Sequence, residues 1–134
     1  MRNSIRRGVA PAILLAALFG SRGIAAEHTQ DSLETVKQNV QGGRAVLVDV
    51  RERREWDAGH LQGAIFLPLS RLRNVDPGVL GSILPKDKTV YCHCAIGVRV
   101  LPAADILQQH GYEVRPLKAG YKDLLRAGFP KAER

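Results

Sequence analysis

The chain has 134 residues, of which 45% are apolar and 25% charged, with two cysteines and a formal net charge of +7. These fractions are typical of one globular domain and exclude a disordered or collagen-like chain. Two cysteines are too few for a small secreted fold held by several disulfides. Residues 1–26 contain four arginines and no acidic residue, so residues 27–134 carry 16 basic against 13 acidic groups. This near balance gives no indication of a nucleic-acid partner.

The first 26 residues have the three-part pattern of a secretory signal peptide. Three arginines among the first seven residues precede an almost wholly apolar run at 9–19, and small residues follow it. That run has 11 residues, whereas a helix needs ~20 to cross the hydrocarbon core, so no stable membrane span is expected after processing. We predict a periplasmic or secreted protein, with cleavage after Ala25 or after Ala26. Retention of the segment as an anchor stays open.

Residues 27–134 alternate between short helices and short strands. Helices are predicted from apolar residues three and four positions apart, and strands from short β-branched runs. The predicted elements in chain order are helix 32–40, strand 45–50, helix 52–58, strand 64–67, a helical turn at 70–72, helix 80–84, strand 89–92, helix 98–110, strand 112–117 and helix 121–127. We interpret Pro77-Gly78 as a loop or a break between two of these elements.

The alternation of strands with helices predicts an α/β fold, a small parallel β-sheet flanked by helices on both faces. The run at 45–50 is apolar and β-branched almost throughout, as expected for a strand buried on both faces. Because a chain of this length can bury one core but not two, residues 27–134 are predicted to form one domain.

Charged side chains flank the end of the first predicted strand, and a thiol follows the third. In a parallel α/β sheet, ligands bind beyond the carboxyl ends of the strands. Asp49 and Arg51 flank the first strand end, and Cys94 follows the third strand. Paired charges at strand ends are usually structural, so we interpret Asp49 and Arg51 as a supporting pair, with proton transfer as the alternative.

The segment from Cys94 to Arg99 has the composition of an anion-binding loop at a helix start. Gly97 lets the backbone curl without a Cβ clash, so that successive N–H groups can point inward. Such a positive field favours the thiolate, the reactive form of cysteine. We therefore predict Cys94 and Arg99 as the catalytic residues. The predicted substrate-binding residues are Ala95, Ile96, Gly97, Val98 and Arg99.

Residues 31–130 contain three groups of motifs that resemble those of the rhodanese-like family and follow each other in the same order. The opening group is Asp49-Val50-Arg51-Glu52, Glu55-Trp56, Gly59-His60-Leu61, Gly63-Ala64 and Leu67-Pro68. The second is the segment from Val90 through Cys94 to Arg99, with a Cys-x-x-Gly-x-Arg pattern. The closing group is Gly111-Tyr112, Leu117 and Gly120-Tyr121. The small exported sulfurtransferases with a single domain are the nearest kind.

This resemblance implies that the chain transfers a sulfane sulfur. The Cys94 thiolate would take the outer sulfur of a thiosulfate-like anion as a persulfide, and a thiol or cyanide acceptor would then remove it. The loop amides would stabilise the negative charge. No metal and no organic cofactor are implied. We expect His60 to support the site by a hydrogen bond that braces its loop.

The loop also predicts a limit on the donor. Between Cys94 and Arg99 all side chains are apolar or absent, so Arg99 is the only charged side chain within the loop. A dianionic donor would need further positive groups, which Lys118 or Arg51 supply only if they fold close. We therefore expect low thiosulfate turnover or a different persulfide donor.

Other functions stay open at this point. A phosphatase or arsenate reductase of related architecture is one, although the four residues between Cys94 and Arg99 favour sulfur over the larger phosphate. Metal handling or redox chemistry by Cys92-His93-Cys94 with His60 is another. We expect Cys92 to be a core residue whose thiol does not converge with that of Cys94 unless the loop begins early, because alternate strand residues point to opposite faces. A strained disulfide between them remains open, as does a non-catalytic interaction domain.

Overall fold

The computed structural model describes residues 24–133, and the predicted signal segment up to residue 23 lies outside this range. The elements are α1 (Leu33–Gln41), β1 (Ala45–Asp49), α2 (Arg53–Ala58), β2 (Ile65–Phe66), α3 (Leu69–Leu72), α4 (Pro77–Ile83), β3 (Thr89–His93), α5 (Val100–Gln109), β4 (Val114–Pro116) and α6 (Tyr121–Arg126). None of the helices in this range is both long and apolar enough to cross a bilayer.

The strands form one parallel sheet in the order β2-β1-β3-β4. The central pair, β1 and β3, runs in register from Ala45 opposite Thr89 to Asp49 opposite His93. One further hydrogen bond, from Val50 N to His93 O at 3.1 Å, continues the pairing past the end of β1. The carboxyl ends of the two central strands therefore lie side by side, which positions the site.

Helices cover both faces of the sheet. Val48, Val90 and Cys92 belong to an apolar cluster that also contains residues of α3, α4 and α5. Leu47 and Tyr91 belong to a second cluster, with residues of α1 and α6. Since neighbouring residues of a strand point to opposite faces, each central strand contributes to both clusters. The predicted small parallel sheet with helices on both faces is confirmed.

The interpretation of Pro77-Gly78 as a loop or break is wrong, because α4 begins at Pro77. Asp76 caps this helix, and its Oδ1 accepts hydrogen bonds from Gly78 N at 2.8 Å and Val79 N at 3.1 Å. Proline is well tolerated at the first helical position, since an N–H there would have no partner within the helix. The sequence Pro77-Gly78, which resembles a break, therefore marks the start of a helix.

Candidate active site

Cys94 follows β3 directly and begins a loop, residues 94–99, that leads into α5. The Cys94 residue has no exposed surface and packs with the apolar cluster on the α3–α5 face. In the same loop, Ile96 is 77% exposed and Val98 is 60% exposed. The nucleophile predicted from the sequence is thus a buried thiol beneath a loop whose apolar side chains face solvent.

The turn of this loop is held by backbone contacts that only glycine permits. Gly97 has φ +78°, and a Cβ there would collide with the backbone carbonyl of Lys118. A Cβ on Gly120 would likewise collide with the carbonyl of Ala95. From the other side, Nε2 of His28 lies 2.6 Å from the Gly97 carbonyl oxygen. The loop is therefore enclosed between the segment after β4 and the segment before α1.

The amides of the loop are available to a ligand. No residue in the range 24–133 accepts a hydrogen bond from the N–H groups of residues 95–99. Unpaired N–H groups at the start of a helix attract negative charge. The loop can thus hold an anion or an anionic sulfur next to Cys94.

Arg99 forms a two-point ion pair with Glu55 of α2. Its Nη1 donates to Glu55 Oε2 at 2.6 Å, and its Nη2 donates to Glu55 Oε1 at 2.7 Å. Chiefly through these hydrogen bonds, Arg99 lowers the pKa of Glu55 to about 2. Glu52 N also donates to Glu55 Oε2, at 3.0 Å, so the carboxylate is held by its own helix start. The guanidinium of Arg99 is therefore already paired with a carboxylate of this chain.

Asp49 and Arg51 form a buried pair at the end of β1. Arg51 Nη2 lies 2.8 Å from Asp49 Oδ2, and the exposed side-chain fractions are 6% and 0%. The same Nη2 donates to the Gly59 carbonyl at 2.8 Å, and the guanidinium lies 4.1 Å from the centroid of the Tyr121 ring. The pair thus joins the end of β1 to the end of α2 and to the start of α6. Its supporting role stays a prediction.

His93 lies beside this pair at the end of β3. Its Nε2 is 3.8 Å from Asp49 Oδ2, and the side chain is fully buried. Neither ring nitrogen has a hydrogen-bond partner among the residues described. Burial, with a smaller contribution from Arg51, lowers the pKa of His93 to about 4, although Asp49 opposes the shift. His93 is therefore neutral near neutral pH.

His60 contacts α2. Its Nδ1 lies 3.1 Å from the Trp56 carbonyl oxygen, and its ring stacks on the Trp56 ring with centroids 3.6 Å apart. This hydrogen bond and this stacking tie the turn after α2 to the helix that supplies Glu55. The supporting role of His60 at the site remains a prediction.

The sequence pattern of the rhodanese-like domain matches residues 32–127. The chain belongs to the rhodanese-like domain family. It is 31% identical over 104 residues to human thiosulfate:glutathione sulfurtransferase, covering 70% of this chain and 90% of that protein. It is 34% identical over 93 residues to the HTH-type transcriptional regulator Rv0324 of Mycobacterium tuberculosis, covering 69% of this chain and 40% of the regulator.

The solved structure of a human single-domain sulfurtransferase matches the rhodanese-like chain with a TM-score of 0.57 and 27% identity, covering 72% of this chain and 94% of that one. The match spans less than two thirds of several other curated relatives, 60% of one and 17% of another. These similarities support membership in a family of sulfurtransferases. Because a transcriptional regulator is also among the relatives, the choice between an enzyme and a non-enzymatic domain depends on the site.

Cys92 and Cys94 of the rhodanese-like domain lie on the same face of the sheet, in one apolar cluster. The expectation that they point to opposite faces is wrong, because residues i and i+2 of a strand share a face. Cys92 Sγ lies 3.7 Å from the Val100 carbonyl oxygen, and burial together with Cys94 raises the pKa of the Cys92 thiol. Both cysteines are free thiols. Across residues 24–133 no three acidic, histidine or cysteine side chains are grouped closely enough to hold a metal ion.

Two residues at this site were missed from the sequence. Glu55 belongs to a family motif, and its spacing from Glu52 indicates a capping box, but no local pattern pairs it with Arg99, 44 positions away. His28 is 69 positions from Gly97, and no signal in the sequence indicates their contact. Both contacts depend on how distant segments pack around the loop.

Proposed function

We propose that the chain is a sulfurtransferase that carries a sulfane sulfur as a persulfide on Cys94. The observation that carries the proposal is the place of this cysteine, at the carboxyl end of β3 and before a loop whose amides 95–99 have no acceptor within residues 24–133. Membership in the rhodanese-like family supports it, as does the similarity to a human thiosulfate:glutathione sulfurtransferase. A thiosulfate-like anion is the proposed class of donor, and a thiol or cyanide is the acceptor.

The reaction has two displacement steps. The Cys94 thiolate attacks the outer sulfur of the donor, the S–S bond of the donor breaks, and the leaving group departs with the electron pair, as sulfite if the donor is thiosulfate. The acceptor then attacks the terminal sulfur of the Cys94 persulfide and releases the Cys94 thiolate. The loop amides donate hydrogen bonds to the negative charge in both steps. Arg99 holds the loop end against α2 through Glu55.

The burial of Cys94 adds a requirement to this proposal. Because Cys94 has no exposed surface, a donor reaches the sulfur only when the loop 94–99 moves. Ile96 and Val98 are the exposed side chains of that loop, and they are the ones that shift with least loss of packing. We propose that loop 94–99 opens to admit the donor and then closes over the persulfide.

We also propose that the enzyme acts outside the cytoplasm. The support for this is the signal-like pattern of residues 1–26, with its basic start, apolar run and small-residue end. The test is to express the full chain in bacteria, separate cytoplasm, periplasm and culture medium, and measure in which fraction the protein is found.

Intact-mass measurement tests the sulfur carrier. The protein is incubated with thiosulfate, and we expect a gain of one sulfur atom that reductant removes. Cys94→Ala abolishes this gain, whereas Cys92→Ala, the matched control at the other buried thiol, retains it. Cyanide then releases the sulfur as thiocyanate. A mass gain in Cys94→Ala, or phosphate-ester hydrolysis above the Cys94→Ala background, would overturn the proposal.

A further inference from the structure

We infer that Glu55 sets donor specificity by neutralising Arg99, so that the site prefers an organic persulfide of low charge to the thiosulfate dianion. This inference rests on the proposed function and ranks its donors: thiosulfate still transfers its sulfur to Cys94, but an organic persulfide does so with the higher kcat/KM. Its basis is the charge balance around loop 94–99, in which the cation expected to attract a dianion already has a carboxylate partner within the chain.

Both ends of the Arg99 guanidinium are engaged by Glu55. The two N···O distances are 2.6 and 2.7 Å, and the exposed side-chain fractions are 32% for Arg99 and 34% for Glu55. A two-point pair of this geometry uses the planar donors that would otherwise bind an oxyanion. With its pKa at about 2, Glu55 stays ionised through the neutral range. A dianion approaching Arg99 therefore also approaches a full negative charge.

The other cations near the loop do not replace Arg99. Arg51 is paired with Asp49 and buried. Lys118 adjoins Gly97 through its backbone carbonyl, and its side chain is exposed, where solvent screens its charge. What remains at the loop is a set of neutral amide donors and the apolar surface of Ile96 and Val98. Such a surface favours an uncharged organic group over a sulfonate.

An organic persulfide, R–S–SH, completes the same first step without a dianion. The Cys94 thiolate attacks the outer sulfur, the S–S bond of the persulfide breaks, and the thiolate R–S⁻ leaves with the electron pair. The proton stays on the transferred sulfur or passes to the leaving thiolate, so atoms and charge balance. The loop amides need to accommodate one negative charge in this step.

The first test measures electrostatics at the sulfur and does not depend on sulfur transfer. In a Cys92→Ala background, Cys94 is alkylated by iodoacetate, an anion, and by iodoacetamide, a neutral reagent of similar size. The ratio of the two rates cancels the effect of loop opening. We expect Glu55→Gln to raise this ratio by about tenfold, the effect of removing one nearby charge. Asp57→Asn, an equal charge change at an exposed residue of α2 that pairs with Arg53, is the matched control.

The second test compares donors. We expect Glu55→Gln to raise the ratio of kcat/KM for thiosulfate to kcat/KM for the persulfide of 2-mercaptoethanol, a small organic donor without a carboxylate, by about tenfold, chiefly through a lower KM for thiosulfate. An unchanged alkylation ratio in Glu55→Gln, or an equal increase in Asp57→Asn, would overturn the inference. If neither donor transfers sulfur to Cys94 in the unmodified protein, the proposed function fails, and the alkylation ratio still decides whether Glu55 controls anion access.

A separate set of contacts leads to a second inference, that cleavage after Ala25 creates an ion pair that anchors the N-terminal segment beside the active-site loop. Ala26 N donates to Asp105 Oδ1 of α5 at 2.7 Å, and Ala26 is partly buried against the α3–α5 cluster. Two residues later, His28 Nε2 lies 2.6 Å from the Gly97 carbonyl oxygen. The segment that begins at Ala26 is therefore bound at both of these points.

Cleavage at this position changes the chemistry of the contact with Asp105. The freed nitrogen of Ala26 becomes an α-ammonium group, so a hydrogen bond from an uncharged N–H to the carboxylate becomes an ion pair with a charge on both partners. Cleavage after Ala26 would instead remove the donor. Of the two cleavage positions predicted from the sequence, the contact with Asp105 favours the one after Ala25.

Two measurements test this second inference. The mass of the exported protein identifies its first residue, and thermal unfolding compares the Tm of the unmodified protein with that of Asp105→Asn. We expect the exported chain to begin at Ala26. We expect Asp105→Asn to lower the Tm of this processed protein by about 4 °C and that of the full chain by clearly less. A processed chain that begins at Glu27, or equal Tm shifts in the processed and full chains, would overturn it.

Discussion

Replacing Gly97 with alanine tests whether backbone contact shapes loop 94–99. Gly97 has φ +78°, and a Cβ there would collide with the Lys118 carbonyl. Gly63 has nearly the same φ, +76°, and no described atom lies within 4 Å of where its Cβ would be. The two substitutions therefore share the cost of the left-handed conformation and differ in the space available.

The magnitudes follow from this comparison. A residue with a Cβ in the left-handed region costs roughly 1–2 kcal/mol, and the lower freedom of the unfolded alanine chain offsets about 0.4–1 kcal/mol of it. We expect Gly63→Ala to lower the free energy of unfolding by about 1 kcal/mol or less. Gly97→Ala adds the cost of overpacking, about 1–3 kcal/mol, for a total of about 1–4 kcal/mol.

Urea unfolding measures both free energies, and intact mass after incubation with thiosulfate measures persulfide formation under conditions where both variants are folded. We expect slower persulfide formation in Gly97→Ala than in Gly63→Ala, because the Cβ displaces the turn that follows Cys94. If Gly97→Ala costs no more stability than Gly63→Ala, the contact with Lys118 does not hold the loop, and the reasoning is refuted.

Three other changes test the surroundings of the site by urea unfolding. Arg51→Met leaves Asp49 buried without its partner and is expected to cost about 3–5 kcal/mol, against less than about 0.5 kcal/mol for Arg53→Met at an exposed pair; similar small losses would contradict a structural role. The pKa of His93 is about 4 in the folded chain, below the usual 6.5, so the unfolded chain gains a proton first and stability falls as pH drops from 6.5 towards 4. His93→Leu is expected to lack that slope, and a slope equal to that of the unmodified protein would rule the explanation out. The pKa of Glu55 is lowered from 4.5 to about 2, so its stabilising contribution is present above pH 4.5 and is lost as pH falls through 2. We expect the urea midpoints of the unmodified protein and of Glu55→Gln to approach each other as the pH falls over this range. A difference between the two midpoints that does not change with pH would count against the ion pair.

Most of the fold could be predicted from local patterns in the chain. The strand predicted at 89–92 is Thr89–His93, and the helix predicted at 98–110 is Val100–Gln109. Periodicity identifies such elements because it reflects which neighbouring residues share a face. The error at Pro77-Gly78 arose where local rules compete, because the pair carries a break signal but the side chain of Asp76 makes it a helix start.

By itself, the sequence determined the succession of strands and helices, the parallel α/β class, and the place of Cys94 and Gly97 in a loop between a strand and a helix. The tertiary structure alone decided that Arg99 is neutralised by Glu55, that the loop is closed around a buried thiol, and that His28 reaches the Gly97 carbonyl. The physical reason is the separation along the chain over which each interaction acts. Hydrophobic spacing and turn residues act between neighbours in the chain, whereas these contacts join residues 44 and 69 positions apart and exist only once helices have packed on the sheet.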